Sequence, residues 1–370
     1  MAPSKVFMMD LRASTRQNLL AKLVKLMDHA GIEVVISPRN LVALKLHFGE
    51  EGNTAFIRPL FVRQIASRVT EMGAFPFLTD TNTLYAGARG NSVSHIHTAI
   101  AHGFAYPVVT APIIIADGMR GASISPVEIN QEIIKTAYLG KEIVESDALI
   151  SIAHFKGHDL SGFGGTIKNL GMGCAARKGK LEQHSGLSPS IKRKKCAGCG
   201  DCVAHCARKA ISLKEKKAFI DSKKCVGCGE CILICPNSAI NIRWNADMET
   251  FQKKMAEYCL AVLENKQGKS LFLNFLTQIS PACDCYGYSD APVVHDIGIL
   301  ASRDPVAIDQ ASIDLVNSMP AAANSCIKKS NMPGEDKFRD VYPDIDWNIQ
   351  LEHGQKIGLG NRRYECVTVA

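Results

Sequence analysis

The chain has 370 residues, of which 46% are hydrophobic and 21% are charged. These proportions exclude a disordered, collagen-like or coiled-coil chain, and the length is enough for about two or three domains. The formal net charge of +7 is concentrated between residues 191 and 243, which contain 12 lysines and arginines, 4 acids and 8 of the 14 cysteines. The excess charge and the cysteines therefore need one explanation.

Apolar runs typical of strands alternate with amphipathic runs typical of helices outside this basic segment. Strands are predicted at 5–9, 41–46, 75–79, 112–116, 148–153 and 270–276, and helices at 15–30, 59–72, 92–101, 140–146, 247–264 and from 305 onward. This alternation predicts an α/β fold with a largely parallel sheet. Because the pattern resumes after the basic segment, we expect one discontinuous domain (1–190 and 244–370) into which 191–243 is inserted. The last forty residues show weak periodicity and are interpreted as irregular cover.

The start of the chain lacks a positively charged region followed by an apolar run, so no secretory signal is expected. Apolar stretches such as 107–116 and 271–276 are far shorter than the ~20 residues that a membrane helix needs. Clustered cysteines without an export signal favour metal ligation over disulfides. We therefore expect a cytoplasmic protein that does not enter membranes.

The basic segment contains the pattern Cys-x-x-Cys-x-x-Cys-x-x-x-Cys twice, 29 residues apart. Four thiolates suit an iron–sulfur cube, and in two-cluster ferredoxins the fourth cysteine of each run binds the other cluster. The predicted ligands are Cys196, Cys199, Cys202 and Cys235 for one [4Fe–4S] cluster, and Cys225, Cys228, Cys231 and Cys206 for a second. The alternative is a pair of structural zinc sites, but these favour separated Cys-x-x-Cys pairs.

A second candidate site is indicated by polar residues where predicted strands end. These residues are His47, Asp80, Asp117 and His154. Because open α/β sheets bind ligands at the carboxyl ends of their strands, we expect these side chains to converge on one crevice. The loop after His154 adds His158, and the glycine-rich run 162–165, a candidate anion-binding nest, precedes Lys168. The alternative is that each is a capping or structural residue, and Cys283 and Cys285 are interpreted as two ordinary thiols.

Several longer motifs resemble known sequences. They are His47-Phe-Gly-Glu-Glu-Gly-Asn, Thr79-Asp-Thr-Asn-Thr-Leu-Tyr, His154-Phe-Lys-Gly-His, Gly164-Gly-Thr-Ile-Lys-Asn-Leu-Gly-Met-Gly-Cys, Asp296-Ile-Gly-Ile-Leu-Ala-Ser and Asp304-Pro-Val-Ala-Ile-Asp. From about Val42 to Asn317 the chain resembles the domain of unknown function 362 family, and the basic segment resembles the bacterial two-[4Fe–4S] ferredoxin module, a small α+β unit. The resemblance implies iron–sulfur binding and an α/β fold distantly similar to that of nickel-pincer lactate racemases. It supplies no reaction and no catalytic residues.

The leading functional hypothesis is an oxidoreductase that passes electrons through two [4Fe–4S] clusters to a small anionic substrate or second cofactor in the crevice. Either His154 or His158 would donate a proton or bind a metal ion. Asp80 or His47 would orient that histidine, and Lys168 would hold the anionic group. Whether a further metal ion or an organic cofactor binds is left open.

Two other functions fit the same residues. One is an electron-transfer or cluster-delivery protein whose basic module docks an acidic redox partner. The other is a metal-dependent isomerase or lyase in which the clusters are structural. Nucleic-acid binding is not expected, because no aromatic-interleaved basic stripe or recognition helix accompanies the lysines.

Overall fold

The computed structural model describes residues 2–85, 87–184, 189–206, 208–225, 229–241 and 247–369. The strands are β1 (Ser4–Asp10), β2 (Leu41–Lys45), β3 (Phe75–Asp80), β4 (Ile113–Ile115), β5 (Ile124–Glu128), β6 (Thr136–Gly140), β7 (Ala148–His154), β8 (Lys156–His158), β9 (Gly162–Gly164), β10 (Ser190–Ile191), β11 (Ile211–Lys214), β12 (Lys217–Ile220), β13 (Ile240–Asn241), β14 (Ser270–Leu276), β15 (Gly298–Ser302) and β16 (Tyr364–Thr368). The helices are α1 (Leu19–His29), α2 (Ile32–Val35), α3 (Pro59–Glu71), α4 (Ser92–Ala101), α5 (Tyr106–Val109), α6 (Lys141–Glu145), α7 (Thr166–Gly171), α8 (Arg177–His184), α9 (Asp201–Ala204), α10 (Glu230–Leu233), α11 (Met248–Leu263), α12 (Pro305–Ser318), α13 (Lys337–Val341) and α14 (Asn348–Lys356). None of these helices, in the ranges that the structure describes, has the length and apolarity needed to cross a membrane.

Eight strands form one sheet in the order β16-β1-β15-β14-β7-β2-β3-β4. From β14 to β4 every neighbouring pair is parallel, and β1 and β16 are also parallel. Strand β15 runs antiparallel to both of its neighbours. The predicted α/β fold with a largely parallel sheet is confirmed. Its strands come from both sides of the basic segment in the sequence.

Helices cover both faces of this sheet. Strand β7 is buried along its whole length, and its successive side chains point to opposite faces. Leu149 therefore packs in the core that contains residues of α7, α11 and α12. Ile150 and Ile152 pack in the other core, with residues of α1 and α3. This double cover explains why the central strands have continuous apolar sequences.

Most predicted elements lie close to the observed ones, and α4 has the predicted bounds. The first helix begins at Leu19 instead of residue 15, because the side chain of Asn18 caps it by accepting from the backbone of Ala21 at 2.9 Å. The interpretation of the last forty residues as irregular cover was wrong, since they contain α13, α14 and β16. Strand β16 lies at the sheet edge and is largely solvent-exposed, so it lacks the apolar pattern of a buried strand.

The basic segment folds into two short antiparallel pairs, β10 with β13 and β11 with β12, and two single-turn helices. Helices α9 and α10 follow Gly200 and Gly229, whose φ angles of 89° and 73° favour glycine. These glycines lie 29 residues apart, so the sequence repeat is also a structural repeat. The segment has a small core of its own, which also includes Leu84 and Leu181 of the larger fold.

Candidate functional site

A cavity of about 340 Å³ lies where β2 and β3 end and β7 passes into β8. Its lining includes four of the five predicted catalytic residues, namely His47, Asp80, His158 and Lys168. Because β2, β3 and β7 are parallel neighbours, their carboxyl ends meet at one edge, where α/β sheets bind ligands. The expected crevice is therefore present, although His154 and Asp117 are not among its lining residues.

The predicted catalytic residue His154 holds a neighbouring loop. Its Nδ1 lies 2.9 Å from a carboxylate oxygen of Asp284, and its Nε2 lies 3.0 Å from the carbonyl oxygen of Thr277. The carboxylate and the carbonyl are both hydrogen-bond acceptors, so they hold the buried ring from two sides. The observed role of His154 is to fix Asp284 and the loop that carries it.

Asp80 is the centre of a buried ion-pair network. Its carboxylate lies 3.1 Å from the Lys45 ammonium and 3.3 Å from the Arg89 guanidinium. Burial would raise the pKa of Asp80, but the charge of Lys45, together with that of Arg89, lowers it well below its usual range. Asp80 therefore positions two cavity cations and does not carry an exchangeable proton near neutral pH.

His47 is a neutral hydrogen-bond donor to a sulfur atom. Its Nδ1 accepts from the backbone amide of Gly49 at 3.0 Å, which leaves the hydrogen on Nε2. That Nε2 lies 3.4 Å from the sulfur of Cys285. Burial lowers the pKa of His47, which keeps the ring in this neutral form.

The glycine-rich run 162–165 does not form the predicted anion-binding nest, because an internal carboxylate takes that position. The backbone amides of Thr166 and Ile167 donate to the two carboxylate oxygens of Asp309, at 2.7 and 2.9 Å. A Cβ atom on Gly165 would lie 2.3 Å from Asp309, so glycine permits this approach. The run therefore shapes the beginning of α7 and so places Lys168 in the cavity.

Cys283 and Cys285 also line the cavity, and the interpretation as two ordinary thiols did not anticipate this. The ammonium of Lys168 donates to the sulfur of Cys283 at 3.2 Å. Gly157 lets their loop approach, because a Cβ there would lie 1.9 Å from the carbonyl oxygen of Pro281. The available sequence signal was the Cys-x-Cys spacing shortly after a predicted strand.

Lys180 of α8 is a further cavity residue that sequence reasoning missed. Its ammonium donates to the hydroxyl of Thr81 and to the carbonyl oxygen of Ala175, the latter at 2.7 Å. Burial lowers the pKa of Lys180 to about 8. Its proton is therefore exchangeable near physiological pH.

The cavity lining is rich in positive charge. The basic side chains are Lys45, Arg89, Lys156, Lys168 and Lys180, and the acidic ones are Asp80 and Asp159. Apart from the two thiols, the cations outnumber the carboxylates. The described lining thus favours a small anionic ligand.

The cysteines of the basic segment form a separate site. Cys196, Cys199, Cys202 and Cys235 line one small pocket, which is the set predicted for one cluster. Burial, followed by the charges of its three neighbouring thiols, raises the pKa of Cys202. Cys228, a predicted ligand of the other cluster, lies outside the described residues.

Backbone amides point at several of these sulfur atoms. Ala239 donates to Cys235 and Ala210 donates to Cys206, both at 3.2 Å, at equivalent positions of the repeat. Within the described residues, no three His, Cys, Asp or Glu side chains are arranged to hold a metal ion. Thiolates that accept from backbone amides have the donor chemistry that an iron–sulfur cluster requires.

The second cysteine motif contacts the wall of the cavity. A Cβ atom on Gly229 would lie 2.5 Å from the side chain of Leu84, which lines the cavity. The carboxylate of Glu230 lies 2.9 Å from Arg177, whose Nε donates to the carbonyl oxygen of Thr83 at 3.2 Å. The two sites are therefore adjacent.

The comparison with protein families matches residues 42–314 to the model described as "Domain of unknown function (DUF362)". The chain belongs to this family. The expected resemblance to the DUF362 family is thus confirmed, while the description of that family names neither an activity nor a ferredoxin module. No curated protein matches this DUF362 chain.

Two solved structures are similar to this DUF362 protein over part of their lengths. One is the lactate racemase apoprotein from Thermoanaerobacterium thermosaccharolyticum, with 11% identity, a TM-score of 0.38, and coverage of 73% of this chain and 50% of that chain. The other is a protein from Thermotoga maritima, with 9% identity, a TM-score of 0.39, and coverage of 93% of this chain and 60% of that chain. The chain thus spans about half to three fifths of the lengths of these two proteins.

Proposed function

We propose that this DUF362 protein is an iron–sulfur oxidoreductase. Residues 191–243 form an inserted ferredoxin-type module that binds two [4Fe–4S] clusters, and the α/β cavity binds a small anionic substrate. When bound, the clusters supply electrons one at a time. The observation that carries the proposal is the contact of the second cysteine motif with the cavity wall.

The cysteine segment supports the cluster assignment by its donor chemistry. Four thiolates from both halves of the repeat, Cys196, Cys199, Cys202 and Cys235, line one pocket, as crossed ligation requires. Amide donors to sulfur, such as Ala239 to Cys235, stabilise thiolate charge and tune cluster potentials. A cytoplasmic location fits this proposal, because reducing conditions keep cysteines available as thiolates.

The contact between module and cavity supports a role in catalysis over simple electron carriage. Leu84 packs in the core of the module and also lines the cavity. Arg177, almost fully buried, joins Glu230 of the second motif to the loop that contains Thr83. A carrier that only exchanges electrons at its surface has no need of a charged cavity beside a cluster motif.

The cavity residues have separate roles in binding and protonating the substrate. Lys168 and Arg89 bind its anionic groups, and the Asp80 carboxylate holds Lys45 and Arg89 in place. Lys180 donates the proton that accompanies reduction, because its pKa of about 8 suits proton transfer near neutral pH. Burial lowers the pKa of His158, so this ring is neutral and is a hydrogen-bond donor to the substrate.

The exposed basic residues of the module favour an acidic protein as electron donor. They include Arg193, Lys194, Lys195, Lys223 and Lys224. Complementary charge accelerates association with a redox partner, and salt weakens it. The same surface would serve the second candidate function, an electron carrier without its own reaction.

The test compares two electron acceptors that differ in charge, 4-nitrobenzoate and the uncharged nitrobenzene. Protein purified without oxygen is photoreduced and mixed with each acceptor, and the bleached cluster absorbance is followed as it returns. The proposal predicts faster reoxidation by the anion in the native protein. In Lys168→Gln the rate of reoxidation by 4-nitrobenzoate should fall about tenfold, because one buried charged contact is lost, and the preference for the anion should disappear. The iron content should be unchanged.

The matched control is Lys223→Gln, which removes one positive charge from the exposed module surface without touching the cavity. It should retain the preference for 4-nitrobenzoate. If both variants lose the preference equally, or if the native protein shows none, electrons leave at the module surface. That result would favour the carrier over the oxidoreductase.

A further inference from the structure

The loop after β14 places two cysteines in the cavity in different environments. Asp284 between them points away, into contact with His154 at 2.9 Å and Lys156 at 3.4 Å. Cys283 is only 2% exposed, whereas Cys285 is partly exposed to the cavity. The contacts of Asp284 thus fix the loop on the side away from the cavity, and Cys285 is more accessible than Cys283.

The two sulfur atoms have different partners, because Lys168 donates to Cys283 at 3.2 Å and Nε2 of His47 lies 3.4 Å from Cys285. The backbone amide of Cys285 donates to the sulfur of Cys283 at 3.4 Å, which fixes the two residues in one tight turn. The neighbouring Cys283 thiol lowers the pKa of Cys285 despite burial, and Lys168 and His47 lower it further. The proximity of Cys285, with burial, raises the pKa of Cys283. A reactive thiolate beside a protonated thiol is the arrangement of attacking and resolving cysteines in thiol–disulfide exchange.

We propose that Cys283 and Cys285 form a redox-active dithiol whose substrate is a small disulfide that carries carboxylates. This inference names the substrate class of the cavity, and it rests on the proposed function only for the electrons that restore the dithiol. The cavity volume of about 340 Å³ suits a small molecule, and its basic lining suits the carboxylates.

The exchange conserves atoms and electrons. The Cys285 thiolate attacks one sulfur of the substrate, the substrate S–S bond breaks, and one half leaves as a thiolate. Cys283 then loses its proton to solvent, while the Lys168 ammonium, 3.2 Å away, stabilises the resulting thiolate. Cys283 attacks the mixed disulfide at Cys285, and the second half leaves as a thiolate. The substrate gains two electrons and the protein forms a Cys283–Cys285 disulfide.

The test uses 5,5′-dithiobis(2-nitrobenzoate), an aromatic disulfide with one carboxylate on each half and a coloured thiolate product. Protein purified without oxygen, with the exposed thiols outside the two cysteine motifs removed by Cys326→Ser and Cys366→Ser, is mixed with the probe. The peptide that contains both cavity cysteines is then analysed by mass spectrometry. We expect a loss of about two mass units, from an internal disulfide with no retained nitrobenzoate adduct.

Two further variants separate attack from resolution. In Cys283→Ser the adduct should persist on Cys285, and in Cys285→Ser the reaction of Cys283 should be at least about tenfold slower. For each probe, the rate of reaction with Cys285 is divided by the rate with a free thiol. This ratio should be lower for the uncharged probe 4,4′-dithiodipyridine than for the anionic probe. Cys174→Ser, at a buried thiol outside the cavity lining, is the matched control.

Iron is measured in the same samples, so that the two proposals fail separately. An internal disulfide in protein that binds no iron would support the dithiol and overturn the cluster assignment. A persistent adduct on Cys285 in the native protein, or equal reaction of both cysteines, would overturn the dithiol whatever the iron content.

Discussion

The Nε2 atom of His47 lies 3.4 Å from the sulfur of Cys285, although the two residues are 238 positions apart. His47 follows β2 and Cys285 follows β14, and the parallel order β14-β7-β2 brings both loops to one edge of the sheet. The imidazole N–H stabilises negative charge on the sulfur. This contact connects His47, a polar residue at a strand end, with a cysteine whose role the sequence did not reveal.

The first prediction concerns the reactivity of Cys285. Its thiolate should persist at neutral pH and be lost only as the pH falls through its lowered pKa. The groups whose charges or hydrogen bonds act with this sulfur are His47, Tyr85, Arg89, His158, Lys168, His184 and Cys283. Replacing His47 by Leu removes one hydrogen bond to a charged group, worth ~1.5–3 kcal/mol, and should move the midpoint of the pH profile of Cys285 alkylation by iodoacetamide upward by about one to two units. Below the native midpoint, alkylation should therefore be about tenfold slower or more.

The exposed Cys326 supplies the internal control for this measurement, since its alkylation in the same sample should not depend on His47. Equal slowing of both cysteines would indicate a general change in the fold. An unchanged rate at Cys285 would show that the His47 contact does not stabilise its thiolate.

The second prediction is that the two cysteine runs exchange their fourth ligands. The double variant Cys196→Ser/Cys235→Ser removes two ligands of one cluster and should retain about half of the iron. Cys196→Ser/Cys206→Ser removes one ligand from each cluster and should lose nearly all of it. The buried Cys259, outside both motifs, provides a Ser variant with full iron content as control. The reverse order of iron losses would mean that each run holds its own cluster.

The third prediction concerns Lys180, which burial holds at a pKa of about 8. Its amine should lose its proton as the pH rises through about 8, well below the value of about 10.4 for an exposed lysine. Competitive labelling with trace acetic anhydride across pH measures this directly, with Nα-acetyl-lysine amide in the same tube as reference. Lys180→Arg should remove the signal. Titration of Lys180 together with the reference would contradict its assignment as the proton donor.

The fourth prediction concerns acid stability. Burial would raise the pKa of Asp284, but His154 and Lys156 lower it far below its usual range. A lowered folded-state pKa contributes stability that is present above the unfolded value of about 4 and is lost as the pH falls below it. Asp284→Asn should therefore destabilise the fold by ~3–5 kcal/mol near neutral pH, because the buried Lys156 and His154 lose their anionic partner. The variant should also lose less stability than the native protein as the pH falls.

Thermal unfolding midpoints at several pH values measure this effect. The exposed Asp290, in the same loop, supplies the control Asp290→Asn, which should leave the profile unchanged. Equal midpoints for Asp284→Asn and the native protein at neutral pH would mean that the buried carboxylate adds no net stability.

The central strands could be predicted because burial on both faces gives them continuous apolar sequences. The meeting of His47 and Asp80 in one cavity followed from parallel topology, but His154 and Asp117, the other two strand-end residues, do not line that cavity. By contrast, Lys45 is a charged residue of strand β2 that the sequence pattern would place in solvent, yet it is only 1% exposed. Its burial depends on Asp80 and Asn169, which lie 3.1 and 3.0 Å away and come from other elements.

Partners that are distant in the sequence also explain what was missed at His154 and Cys285. The pattern placed His154 correctly at a strand end, but the carboxylate that engages it belongs to a loop 130 residues later. The same loop brings the cysteine pair into the cavity. Only the order of strands in the sheet makes these residues neighbours, and local periodicity does not specify that order.

The most direct test of the whole account is the analysis of iron and acid-labile sulfide in protein purified without oxygen. The account predicts about eight irons and about eight sulfides per chain, since two [4Fe–4S] clusters contain that number. Stoichiometric zinc with little iron and no sulfide would contradict it.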